Sequence, residues 1–305
     1  MRVGVIDMGT NSTRLLLADV EGGEIHELER LLTITRLGAH VDRDGRLAET
    51  AMGRTRKAVT GYVERARELG CDVIFAGATS AVRDAANGET FMHALSRDLG
   101  IPARTLSGDE EARATFRGVT SARPSEGKTA VIDVGGGSTE LVVGRGSEVL
   151  GAVSLQAGCV RMTERWLNEN AVGPAELTVA REEIDSLIDR HVSPDLLEPV
   201  ESDPIAVAGT ATTIAAIELG LPGYDSEKIH GTRVSRDAVA TWIAKLAPLT
   251  ADERRERCPA IEVGRAPLII GGALVLLAML DAIHADAYIA SERDILHGIA
   301  LGLAA

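Results

Sequence analysis

Two stretches of the chain carry the same polar groups at the same spacing. Val5–Leu17 reads VIDMGTNSTRLLL and Val131–Val143 reads VIDVGGGSTELVV. Sliding one onto the other pairs Asp7 with Asp133, Gly9 with Gly135, Ser12 with Ser138 and Thr13 with Thr139, the self-similarity of a duplicated unit. Each copy has the form strand, Asp, x-Gly-x-x-Ser-Thr, strand. Backbone N–H groups in such a turn converge on a concavity that fits an anion. Ser12, Thr13, Ser138 and Thr139 add hydroxyl donors, and Asn11 adds an amide. Gly135, Gly136 and Gly137 let a phosphate approach the main chain closely. One position reverses charge, Arg14 in the first copy and Glu140 in the second. Asp7, Asp133 and Glu140 stand at strand ends beside these turns, and a few carboxylates with water and substrate oxygens are what Mg²⁺ takes.

Three further stretches carry chemistry. AVAGTATTI places Gly209 and Thr210 where a strand hands over to a helix, and helix N-termini attract anions. Thr212 and Thr213 there are expected to satisfy their own backbone. GATSAVRDAAN puts Arg83 just inside a helix after a buried strand, where a guanidinium clamps phosphate in a bidentate way. LSGDEEARATFRGV sets Asp109, Glu110 and Glu111 at a helix start. Acids suit a first turn, and Ser107 to Glu110 has capping-box spacing. The seven histidines show no metal-ligand spacing, and His230 alone lies near phosphate-binding residues. GKT at 127–129 fails as a P-loop, because Ala122 holds the upstream glycine position and a strand follows. No dinucleotide fingerprint joins a strand to a helix.

The elements that must position these groups alternate. Strands are expected at 3–6, 14–20, 72–76, 129–132, 140–144 and 148–155, and helices at 47–69, 109–118, 160–168, 174–191, 236–247 and 268–283. A strand, loop and closing helix end the chain. The polar stretch SARPSEGK breaks the pattern, which restarts after it. This predicts an α/β protein of two related lobes, 1–124 and 125–305, with the last helix, about 293–305, packing back on the first.

Composition narrows the function. The formal charge of −13 excludes general binding to nucleic acid or an anionic membrane. A polyanionic substrate would need local arginines. Three separated cysteines suit a reduced, cytoplasmic protein. Strand character from the first residues leaves no room for a signal peptide, and the apolar run 268–280 is too short to span a bilayer.

VIDMGTNSTRLLL, ATSAVRDAAN, LSGDEEAR, VIDVGGGSTELVV and AGTATTIAA, in this order, resemble the exopolyphosphatase and guanosine pentaphosphate phosphatase family over essentially the whole chain. The resemblance implies two ribonuclease-H-like lobes of the actin, sugar-kinase and Hsp70 ATPase superfamily, with an interdomain cleft. It implies that Glu111 is the catalytic glutamate, assisted by Arg83, and that Asp133 and Glu140 hold Mg²⁺ or Mn²⁺. It implies phosphate contacts from Asn11, Ser12, Arg83, Gly136, Gly137, Ser138, Gly209 and Thr210. The expected substrate is inorganic polyphosphate, in short chains, with pppGpp hydrolysis or a silent phosphate sensor as alternatives; the expected assembly is a homodimer. Two departures stand out: Thr10 replaces a common serine, and SERDILHG at 291–298 lacks the family's usual arginine.

Overall fold

The computed structural model describes residues 1–121, 127–167 and 170–305. The chain divides into two compact units, Met1–Arg123 with Asp294–Ala305 and Pro124–Arg293. The expected boundary at 124/125, Ala122 and the Asn168 end of an expected helix lie outside the described residues.

The first unit is built on β1 (Arg2–Met8), β2 (Ser12–Glu21), β3 (Glu24–Ile34), β4 (Val73–Ala78) and β5 (Ala103–Thr105), in spatial order β3-β2-β1-β4-β5. β1, β2 and β3 form an antiparallel meander, and β4 and β5 run parallel to β1. Alternation sends Ile6, Met8, Leu15 and Leu17 to one face, with Val59 and Val63 of α2 (Glu49–Glu68) and Leu95 of α4 (Gly88–Leu99) in the same core. α1 (Val41–Asp44) and α3 (Ser80–Arg83) are single turns. Val3, Val5, Leu16 and Ala18 face the other way, onto Leu296 and Ala300 of the C-terminal helix (Ile295–Leu303). That helix also clasps α5 (Gly108–Thr120) through two glycines. A Cβ on Gly118 would stand 2.1 Å from the Asp294 carbonyl oxygen, and one on Gly298 would stand 1.7 Å from that of Ala114.

The second unit repeats the plan with β6 (Lys128–Val134), β7 (Thr139–Arg145), β8 (Glu148–Leu155), β9 (Ile205–Val207), β10 (Arg233–Ser235) and β11 (Ala287–Ala290). Its order is β10-β11-β9-β6-β7-β8, the same arrangement read from the other end with β10 added at the edge. The β2–β3 and β7–β8 ladders shift register at Leu17/Ala18 and Val143/Gly144, matching positions of the two copies. Around this sheet stand α6 (Cys159–Trp166), α7 (Pro174–His191), α8 (Pro194–Leu197), α9 (Ala208–Glu218), α10 (Ser226–Ile229), α11 (Arg236–Leu246), α12 (Ala251–Arg257) and α13 (Ile269–Ala282). α13 is buried on every side from Ile269 to Leu280, as an all-apolar helix must be. No helix among the described residues is long and apolar enough to cross a membrane. Sequence reading did not separate α4 from α3 and did not find β10, three residues long, or α12, six of whose seven residues are charged.

Candidate active site

In the first unit the carboxyl ends of β1, β3, β4 and β5 share one edge of the sheet. Ligands of open α/β sheets bind at such edges. The turn after β1 is closed by the Gly9 N–H donating to the Ser12 carbonyl at 2.9 Å. It is strapped from both sides. Thr35 and Arg36 N–H groups donate to the Asn11 carbonyl, and the Thr10 hydroxyl meets that of Ser80 at 3.1 Å. Thr10, in the serine position of the family, is thereby a buried brace.

After β4 and β5 come Arg83 and Glu111. The three acids of the first turn of α5 separate by role. Ser107 and Glu110 form the reciprocal capping box, and the Ser107 N–H holds the Glu110 carboxyl below its ordinary value. Asp109 pairs with Arg113 in solvent. Glu111 alone is turned inward, 4% exposed, with Oε1 2.6 Å from Arg83 Nη1. The same Nη1 donates to the Leu106 carbonyl at 2.9 Å, while Nη2 is buried with no hydrogen-bond partner. A buried N–H group without an acceptor is costly, and an anionic oxygen would satisfy it.

In the second unit the turn after β6 has its carbonyls turned away and engaged. Cys159 N–H donates to Gly135 O, Val160 and Arg161 N–H to Gly136 O, and Arg161 Nε to Gly137 O at 2.8 Å. Among the described residues no acceptor meets the N–H groups of Gly136, Gly137 and Ser138. Gly158 permits the approach of α6, since a Cβ there would lie 2.4 Å from the Gly136 backbone. Sequence reading missed Gly158 and Arg161, neither of which carries a motif.

At the start of α9 a Cβ on Gly209 would lie 1.0 Å from Arg265 Nη1. The glycine therefore lets a guanidinium lie over the helix N-terminus. Ala208 holds a left-handed backbone, φ 63°, at this junction. A Cβ on Gly272 of α13 would lie 2.2 Å from the Thr210 hydroxyl, which is packed inward, so Thr210 offers an anion its backbone N–H rather than its side chain. Thr212 bonds its own Ala208 carbonyl as expected, but the Thr213 hydroxyl is buried without a partner. Nearby, burial pushes the Cys159 thiol up to about 11, which leaves it protonated and unreactive.

One correction follows from strand alternation. Thr13 and Thr139 do not face an anion. Thr13 shares a strand face with Leu15 and Leu17 and its hydroxyl bonds Thr35 in the core at 2.9 Å; Thr139 shares one with Leu141 and Val143 and donates to the Ala157 carbonyl. Asp7 is committed to an ion pair through Oδ2, while its Oδ1 is buried without a hydrogen-bond partner among the described residues. It stands in register with Arg14, whose Nη2 lies 2.6 Å from its Oδ2. Burial raises the Asp7 carboxyl above its ordinary value despite that pairing.

Asp133 and Glu140 hold the equivalent register positions on β6 and β7. Two carboxylates at facing register positions could hold one divalent cation. Glu140 is 3% exposed and its Oε1 accepts from Ser154 Oγ at 2.7 Å, which fixes the side chain. No cluster of three or more metal-type ligands occurs among the described residues. A two-carboxylate set suits Mg²⁺ or Mn²⁺, which keep water and substrate oxygens in their shells. His230, by contrast, uses Nδ1 to accept the Glu292 N–H at 3.2 Å.

A pair of duplicated α/β units, each gathering anion-binding groups at the carboxyl edge of its parallel strands, defines a phosphate-handling protein. The chain belongs to the Ppx/GppA phosphatase family, whose model matches residues 16–305, and is a hydrolase of phosphoanhydride bonds. It is 37% identical to exopolyphosphatase 2 of Mycobacterium tuberculosis, over 99% of this chain and 98% of that one. A crystal structure of an exopolyphosphatase-like protein superposes with a TM-score of 0.91 at 34% identity, covering 99% of this chain and 97% of that one. The Ppx/GppA family member of Aquifex aeolicus gives a TM-score of 0.85 at 29% identity, covering 100% and 97%.

Proposed function

We propose that this enzyme is an exopolyphosphatase, releasing terminal orthophosphate from short chains of inorganic polyphosphate. The observation that carries the reading is the buried Glu111–Arg83 pair with Arg83 Nη2 left without an acceptor. Glu111, paired with the Arg83 guanidinium, accepts a proton from a water as its oxygen attacks the terminal phosphorus. The P–O bond to the bridging oxygen breaks on the opposite side, and the shortened chain leaves. Arg83 Nη2 and the N–H groups of Gly136, Gly137 and Ser138 are donors for the charge on the transferring phosphoryl group. Asn11, Ser12, Gly209 and Thr210 bind further phosphoryl oxygens. Mg²⁺ or Mn²⁺ held by Asp133 and Glu140 would supply charge neutralisation at substrate oxygens.

The test is orthophosphate release with Mg²⁺ from polyphosphates of graded length and from pppGpp. Faster release from short polyphosphate than from the nucleotide supports the reading; the reverse moves the substrate to pppGpp. Glu111→Gln is expected to lower kcat by about 10³ in protein that still folds, with some loss of stability because the Arg83 guanidinium loses its anionic partner. Wild-type turnover in that variant would sink the mechanism.

A further inference from the structure

The carboxyl edge of the first sheet carries a basic cavity that the phosphate-binding motifs do not include. It measures about 540 Å³ and is lined by Arg36, His40 and Arg54 together with Ala48, Thr50 and Ala51. No carboxylate lines it, in a chain of net charge −13. Arg54 is anchored by Nε on the Thr35 carbonyl at 2.9 Å, and Arg36 makes no ion pair among the described residues. The cavity wall continues into the phosphate turn, since Thr35 and Arg36 N–H groups hold the Asn11 carbonyl and the Gly38 N–H holds that of Thr10. The start of α2 also opens here, with Ala48 as an N-cap that supplies no side-chain acceptor; its field adds to that of the two arginines.

Sheet order converts this into a line. Glu111 follows β5, Arg83 follows β4, the Asn11–Ser12 turn follows β1, and Arg36 follows β3. Four strand spacings of about 4.8 Å separate the ends, roughly 19 Å. We propose that Arg36, His40 and Arg54 form an inner subsite for a linear polyphosphate whose terminal phosphoryl group lies at Arg83 and Glu111. The proposal rests on the polyphosphate reading and adds a length rule. Affinity rises with chain length until the chain reaches the cavity, then stays level. An enzyme with this subsite favours chains just long enough to fill the edge.

The experiment compares wild type with Arg36→Gln/Arg54→Gln on tripolyphosphate and on chains several times longer. KM for the long chains is expected to rise at least tenfold, with kcat kept and the tripolyphosphate KM unmoved. The salt dependence of long-chain binding should fall by about two counterions. Arg54→Lys, which keeps the charge, should recover most of the affinity lost in Arg54→Gln. An unchanged long-chain KM, or an equal loss on tripolyphosphate, overturns the subsite. Calorimetric binding of the long chain to Glu111→Gln protein, with and without the arginine pair, separates this from the reaction. Arginine-dependent binding without wild-type turnover would overturn the hydrolase reading and keep the cavity; turnover indifferent to the pair would do the opposite.

Discussion

The two copies of the glycine turn place a pair of charged residues at the same register and use them in opposite ways. In the first unit Asp7 faces Arg14, and the pair is built into a larger, partly buried set. Arg14 also binds Asp294, Arg30 Nη2 lies 3.2 Å from the same Asp294 Oδ2, and His297 joins Asp294 to Glu27. In the second unit Asp133 faces Glu140, and like charges stand where unlike charges stood. A duplicated fold fixes where the side chains point; it does not fix what they do. One substitution at a register position replaces an ion pair with two acids, the pair proposed above to hold a divalent cation.

The largest effect that sharpens this contrast is expected from Glu140→Gln. Activity should fall by about three orders of magnitude, several kcal/mol of transition-state stabilisation. Its melting temperature should hold, because the Gln side-chain oxygen can still accept from Ser154 Oγ. Measured loss of stability with retained activity would mean that Glu140 plays the structural part instead. The mirror experiment is Asp294→Asn. Burial opposes ionisation of Asp294, but Arg14, Arg30 and His297 outweigh it and hold the carboxyl far below the usual range. Breaking such a buried set should cost about 3 kcal/mol in urea unfolding, while the folded fraction keeps its kcat. A drop in kcat with stability intact would break the comparison.

A smaller effect concerns how α5 is held. Gly298→Ala drives a Cβ into the Ala114 backbone. Overpacking of this kind costs about 1–3 kcal/mol, and the strain falls on the helix that carries Glu111. Chemical denaturation should show the loss, with kcat reduced more than KM is raised. Wild-type stability would mean that the C-terminal helix shifts freely and does not set α5.

Much of this was legible in the chain. The repeat gave two sheets of one topology, and local spacing gave the Ser107–Glu110 capping box, because both depend on neighbours in sequence. The facing of Thr13 and Thr139 was also legible in principle: each lies two residues from a core leucine in a strand. Motif resemblance overrode that period. What was not legible depends on distant pieces of chain meeting. Nothing near Arg14 announces Asp294, nothing near Gly118 announces Gly298, and neither Arg161 nor Gly158 carries a motif. Isolated glycines and arginines acquire meaning only from the partner that the fold delivers.

The smallest expected effect reports the network in the first unit through pH. His297 is fully buried, with Nε2 2.8 Å from Glu27 Oε1 and Nδ1 3.4 Å from Asp294 Oδ1. Burial disfavours the charged ring, yet the hydrogen bonds and charges of Asp294 and Glu27 outweigh it and raise its pKa above the ordinary histidine value. A group whose folded pKa is raised binds its proton more tightly when folded. Its contribution is complete below the unfolded value of about 6.5 and is lost as pH rises through the folded value. The melting temperature of the wild type should therefore decline as pH rises above about 6.5, and His297→Asn should flatten that decline while lowering stability at acidic pH. An equal slope in the variant would place the titrating group outside this network.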